Sequence, residues 1–203
     1  YVYATINGQE MLFLLDTGAR FLILTDTPKV RALNLTPGFD LSLGGWGDQE
    51  DSQAYQVDID RIDLGGVSFS GMKAALIPTS KSLYYLREDE AVYDGVIGHD
   101  MMRHFRWVFD HAENTISIST DPYVPESTAQ TLALDTFFGK IRVEGDLAFN
   151  QHHRKQETFI IDTGSRHYVK ISAAYPENND VEMASTQITA ADFGLSGRTE
   201  HQR

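Results

Sequence analysis

The chain has 203 residues, 41% of them apolar, enough for one large β domain or two smaller ones with a sizeable core. Its 29 acidic residues against 17 basic ones give a formal net charge of −12, which opposes condensation on phosphate backbones or anionic membranes and argues against nucleic acid as a partner. Cysteine is absent, which removes disulfides and thiol catalysis, and no apolar run approaches the ~18 residues of a membrane span.

From Tyr1, with neither an initiating Met nor a signal peptide, the sequence reads as a soluble mature form or a trimmed piece, with a secreted or periplasmic setting expected over a cytoplasmic one. "YVYATI" (1–6), the turn signal "NG" (7–8) and "MLFLLD" (11–16) predict a hairpin. A short helix is expected at Lys29–Leu33 behind the start signal "TDTP". The glycine-rich "GGWG" (44–47) precedes the strand "AYQVDID" (54–60), and "GG" (65–66) turns the chain into "VSFSGMKAALIP" (67–78). A second short helix is expected at Met101–Phe105 with Asp100 capping its first turn, followed by strands "RWVFD" (106–110) and "TISIST" (115–120). Residues 121–130, "DPYVPESTAQ", carry two prolines and mostly polar side chains, as a linker would. Beyond it, "FFGKIRV" (137–143), "ETFIID" (157–162) and "HYVKIS" (167–172) predict further strands. The expectation is an all-β protein with blocks at 1–120 and 131–203 joined by 121–130.

The two blocks repeat one unit: strand, polar turn, apolar run, then Asp-Thr-Gly, once at Asp16-Thr17-Gly18-Ala19 and again at Asp162-Thr163-Gly164-Ser165. "GGWG" begins at residue 44, 28 positions after Asp16, and "GLSG" at residue 194, 32 positions after Asp162. A carboxylate at the end of a buried strand is costly unless it is hydrogen-bonded or shares a proton, so a duplicated one invites pairing. Thr17 and Thr163 each offer a hydroxyl that can tie one loop to its twin, and Gly18 and Gly164 permit a turn that aims N–H groups at the carboxylate. If Asp16 and Asp162 meet, like charges cannot both ionise; one proton is shared, and the pair can activate water while protonating a carbonyl or leaving amine. A Ser165 hydroxyl donating to Asp162 would favour its ionised form and leave the proton on Asp16, whose neighbour Ala19 has no hydroxyl.

These features resemble the retropepsin-like and pepsin-like aspartic peptidases. "FLLDTGA" and "FIIDTGS" match that family's active-site signature, and "DGVIGHDMMRHFRWVFDHAENTISI" (94–118) is similar to its second one, in which Val96, Ile97 and Gly98 pack beside the catalytic loop. Ala19 is the retroviral choice and Ser165 the pepsin-like one. The resemblance implies a two-lobed β-barrel fold with pseudo-twofold symmetry, Asp16 and Asp162 as catalytic residues, a peptide or protein substrate, and no cofactor. It also implies a substrate-covering flap at 41–59, with Gly44, Gly45, Trp46 and Gly47 at its tip. The second block is the shorter, lacks a counterpart of Val96-Ile97-Gly98, and ends at "GLSGRTEHQR", where its own flap hairpin should begin. A truncated second lobe is therefore expected.

Other readings are weaker. One Asp-Thr-Gly is commonly a plain turn, but two in matched contexts are not. "DIDRID" (58–63) has cation-binding spacing yet alternates with apolar residues as a solvated strand face does, and His99, His104 and His111 lack metal-ligand spacing, so no metal is expected. The acid-rich "YYLREDEAVYD" (84–94) reads as a solvated face before it reads as a cleft for basic substrates. A carboxylate-pair glycosidase would not need twin Thr-Gly. The alternative to an aspartic endopeptidase is a catalytically silent peptide-binding module; the sequence leaves oligomeric state open.

Overall fold

The computed structural model describes residues 1–45, 52–77, 93–149, 154–165, 167–172, 174–179, 181, 189–194 and 197–202. Among them, strands dominate and no helix is long and apolar enough to cross a membrane.

The chain begins with a hairpin of β1 (Val2–Ile6) and β2 (Gln9–Leu15), joined by Asn7 and Gly8 at φ of 48° and 87°. Two successive left-handed residues give the turn that matches strand twist, which is why Asn-Gly marked it in the sequence. β3 (Leu22–Thr25) leads into α1 (Pro28–Ala32), where Thr27 caps the first turn by accepting from Val30 N at 3.3 Å. β4 (Asp40–Leu43) and the long β5 (Ser52–Leu64) pair antiparallel, and Gly65-Gly66 return the chain through β6 (Val67–Ile77). β7 (Gly95–Ile97) then inserts between β2 and β3, parallel to the first and antiparallel to the second. Gly95 lies directly against the Ile23 carbonyl oxygen and the Phe13 ring, so no side chain fits there.

Pairing of β1 with β5 closes the ring β1-β2-β7-β3-β6-β5 into a six-stranded barrel. Alternation in β2 sends Met11, Phe13 and Leu15 inward, where they meet Ile6, Leu22, Leu24, Val57, Ile59, Ile62 and Ile97. A smaller cluster of Ile23, Ala54, Ala75, Ile77 and Val96 packs on the other face. The expected second helix is displaced. α2 (His99–Met102) starts two residues early, with Gly98 at the cap position; Asp100 lies inside the first turn, where one carboxylate oxygen accepts from Met101 N at 2.9 Å and the other from Leu22 N at 3.0 Å, pinning α2 to β3. The hairpin of β8 (Arg106–Asp110) and β9 (Thr115–Ser119) follows, adding Trp107, Phe109, Ile116 and Ile118 to the barrel's core.

Residues 121–134 hold no strand or helix. A three-stranded antiparallel sheet comes next: β10 (Asp135–Phe137), β11 (Lys140–Ala148) and β12 (Arg154–Ile160). The run "FFGKIRV" is thus not one strand, because Phe138 and Gly139 take φ of 49° and 75° and turn β10 into β11, the twin of the Asn7-Gly8 turn. "HYVKIS" forms no strand; no neighbouring edge pairs with it among the described residues. After α3 (Tyr175–Asn178), β13 (Thr189–Gly194) and β14 (Gly197–Gln202) pair antiparallel where a hairpin was expected only to begin, their last pair being Gly194 with Gly197; Leu195 and Ser196 lie outside the described residues. Val143 and Val181 are the buried apolar residues described in this second region.

Candidate active site

Both Asp-Thr-Gly loops leave the end of a strand and meet. Thr17 Oγ1 donates to Ile161 O at 2.6 Å, and Thr163 Oγ1 donates to Leu15 O at 2.9 Å. Each hydroxyl in turn accepts from the opposite loop's backbone, Thr163 N to Thr17 Oγ1 and Thr17 N to Thr163 Oγ1, both at 3.1 Å. Four reciprocal hydrogen bonds therefore relate the loops by an approximate twofold axis. Threonine suits the place because one hydroxyl serves as donor and acceptor at once.

This exchange brings the two carboxyls together, each against the glycine of the opposite loop. Asp16 Oδ1 accepts from Gly18 N at 2.7 Å and from Ala19 N at 3.2 Å; Asp162 Oδ1 accepts from Gly164 N at 3.0 Å. The glycines are there for space rather than for a left-handed backbone. A Cβ on Gly18 would sit 2.7 Å from Asp162 Cγ, and one on Gly164 would sit 2.5 Å from Asp16 Cγ, so each loop leaves room for the other's carboxylate.

Burial pushes Asp16 up from 3.8 to about 6, with the charge of Asp162 adding to the rise and the N–H groups of Gly18 and Ala19 opposing it. The rise at Asp16 comes from burial and its partner carboxyl, and the hydroxyl expected at Ser165 plays no part in it. The Ser165 hydroxyl accepts from His167 N at 3.3 Å and does not reach Asp162, and Ala19 supplies Asp16 with a backbone N–H.

The first loop is buttressed by the "VIGHD" segment. Asp16 N donates to Ile97 O at 3.0 Å, and His99 N and Asp100 N donate to Ala19 O and Arg20 O at 2.9 and 3.2 Å. Gly98 is needed because a Cβ would meet Phe21 O at 2.6 Å and Ala19 O at 2.8 Å. Two supporting carboxylates escape sequence reasoning. Asp100 holds Leu22 N, and burial raises its pKa. Asp94 is buried, accepts from Leu12 N at 2.9 Å and Thr27 Oγ1 at 2.6 Å, and fixes the entry of β7 beside β2. Its placement just ahead of an apolar Gly-Val-Ile run was the available signal. Among the described residues the second loop has one comparable tie, Ile161 N to Ile141 O at 3.0 Å.

The β4–β5 hairpin stands where a flap is expected, its last pair being Leu43 with Ser52. Gly44 and Gly45 follow β4; Trp46 and Gly47 lie outside the described residues.

A sequence model of the family described as "Aspartyl protease" matches residues 2–101, the stretch that builds the barrel and carries Asp16 and Val96-Ile97-Gly98. Among curated proteins none is similar in sequence. Among solved structures, a retropepsin-like aspartic protease from Rickettsia conorii aligns at 15% identity over 58% of this chain and 79% of its own, with a TM-score of 0.41. The retroviral protease-like domain of Ddi1 from Leishmania major aligns at 18% identity over 64% and 96%, with a TM-score of 0.39. EIAV protease, solved with the inhibitor HBY-793, aligns at 19% identity over 50% and 82%, with a TM-score of 0.34.

Proposed function

We propose, for a chain whose residues 2–101 belong to the aspartyl protease family, that it is an aspartic endopeptidase in which Asp16 and Asp162 act together on a water molecule and a peptide carbonyl. The observation that carries this reading is the pair of facing carboxyls held by reciprocal threonine bonds, with Asp16 pushed up to about 6.

In the proposed reaction Asp162, ionised, takes a proton from water as its oxygen attacks the carbonyl carbon, while Asp16 gives its proton to the carbonyl oxygen. The product of that step is a neutral tetrahedral diol, with the dyad again holding one proton but on the opposite partner. Collapse of the diol breaks the C–N bond. The amine leaves with a proton from Asp162, and Asp16 recovers one from a diol hydroxyl, which restores the starting state. Neither carboxyl alone can be base and acid in the same step, which is why the pairing matters.

The test is digestion of an unstructured protein, with and without a statine-type inhibitor, by wild type, Asp16→Asn and Asp162→Asn. Each variant should lose at least about 10³-fold in turnover while circular dichroism stays native. Substantial turnover in either variant would overturn the paired mechanism. Native folding and tight peptide binding with no turnover in wild type would favour the binding-module reading instead.

A further inference from the structure

Arg20 directly follows the first Asp-Thr-Gly-Ala and is exposed. Its side chain is nonetheless fixed. The stem lies against Gly139 in the β10–β11 turn, so closely that a Cβ there would be 2.7 Å from Arg20 Cγ, and the guanidinium carbon stands 4.9 Å from the centre of the Phe21 ring. Arg20 therefore spans from the catalytic loop of the barrel to the turn of the second sheet.

Among the described residues Arg20 makes no ion pair and no side-chain hydrogen bond, whereas Arg31, Arg61, Arg142 and Arg154 are all matched to carboxylates. The Phe21 ring beside it is itself an exposed aromatic, 43% accessible. A guanidinium whose stem is packed and whose head stands over a ring loses little freedom when it forms a two-pronged bond to a carboxylate. The apolar ring of Phe21 reduces water's competition for that bond. Arg166 holds the matching place after the second motif in sequence, outside the described residues.

We propose that Arg20 is the cationic wall of a substrate subsite, selecting peptides that carry an acidic side chain within a few residues of the bond to be cut. The inference rests on the peptidase reading above and names its substrate class. The acidic preference runs against the repulsion expected from a net charge of −12, so it is a local effect of one side chain.

The experiment uses a series of peptides sharing one apolar scissile pair, with Glu or Gln placed in turn at each of three positions on either side. Wild type should cleave one Glu peptide with kcat/KM roughly three- to tenfold above its Gln counterpart, the size expected of a charge-assisted bond at a partly wetted surface, and the ratio should shrink as salt is raised. Arg20→Gln should bring that ratio to one, and Arg20→Glu should turn the preference toward Lys at the same position. A wild-type ratio of one throughout, or a preference unchanged in Arg20→Gln, overturns the proposal. Anisotropy binding of the same labelled peptides to Asp162→Asn separates the two ideas. A Glu preference in binding with no turnover in wild type keeps the subsite and rejects the peptidase. Turnover with no Glu preference in either measurement rejects the subsite alone.

Discussion

The two Asp-Thr-Gly loops make the same hydrogen bonds from very different beds. β2, which delivers Asp16, lies between β1 and β7 and ends in Leu15, 4% exposed. Among the described residues β12, which delivers Asp162, is paired with β11 alone and runs out through Ile160 and Ile161, 50% and 39% exposed. Thr17 is buried and Thr163 is not. Since the threonine exchange is nevertheless reciprocal, the geometry of the second loop is set by its grip on the first rather than by a core of its own. Stability and site geometry are thus separable here: the barrel supplies the one, and contact between the loops supplies the other.

The widest gap between the halves should appear in their cores. Phe13→Ala, which empties a fully buried site ringed by barrel residues, should cost about 3–5 kcal/mol in urea unfolding, and Val143→Ala in the open sheet about 1 kcal/mol or less. Similar costs would mean that the second sheet has a core as consequential as the barrel's.

The threonine pair should show the reverse of what burial alone suggests. Thr163→Val orphans Thr17 N and Leu15 O, which belong to the buried side, and should cost about 1–3 kcal/mol. Thr17→Val orphans Thr163 N and Ile161 O, which water can reach, and should cost about 1 kcal/mol or less. The same unfolding curves decide the order, and a larger loss in Thr17→Val would place the controlling bonds on the other side.

A titration distinguishes the two carboxyls. Because Asp16 is raised from 3.8 to about 6, the folded chain holds that proton more tightly than the unfolded one. Its stabilising effect is fully present below about 3.8 and is lost as pH rises through about 6. Wild type should therefore lose up to about 3 kcal/mol relative to Asp16→Asn across that window, and a pH-independent difference would rule out the raised value. In kcat/KM the same ionisation should give a falling limb near 6, an apparent constant of the pair rather than of one residue. The smallest effect is expected at Ser165. Its hydroxyl accepts from His167 N, so Ser165→Ala should leave the pH profile superimposable on wild type, and a shifted profile would restore the Ser165–Asp162 bond expected from the motif.

Much of this was legible in the sequence because it depends on local chemistry. The duplicated motif announced both loops, Asn7-Gly8 announced its hairpin, and the threonine hydroxyls announced a tie between the loops. The illegible parts depend on what lies across a gap. Gly18 and Gly164 are required by the carboxylate of the other loop, far away in sequence, and nothing in Asp-Thr-Gly distinguishes that need from a turn's. Phe138 takes a left-handed backbone that no propensity assigns to phenylalanine, so the β10–β11 turn was hidden inside an apolar run. Asp100 accepts from the first turn of α2 as its sequence suggests, but its second bond, from Leu22 N of β3, depends on a strand far away in sequence.

The threonine bonds also set an order of events. They join residues 144 to 148 positions apart, whereas the barrel closes through pairs no more distant than β2 with β7. Closing the longer span costs more chain entropy and returns only a few contacts, so during folding it should follow the barrel. A chain still emerging from the ribosome at residue 150 can have Asp16, its buttress and the β4–β5 pair in place and yet lack the second carboxyl that Asp16 faces in the folded protein.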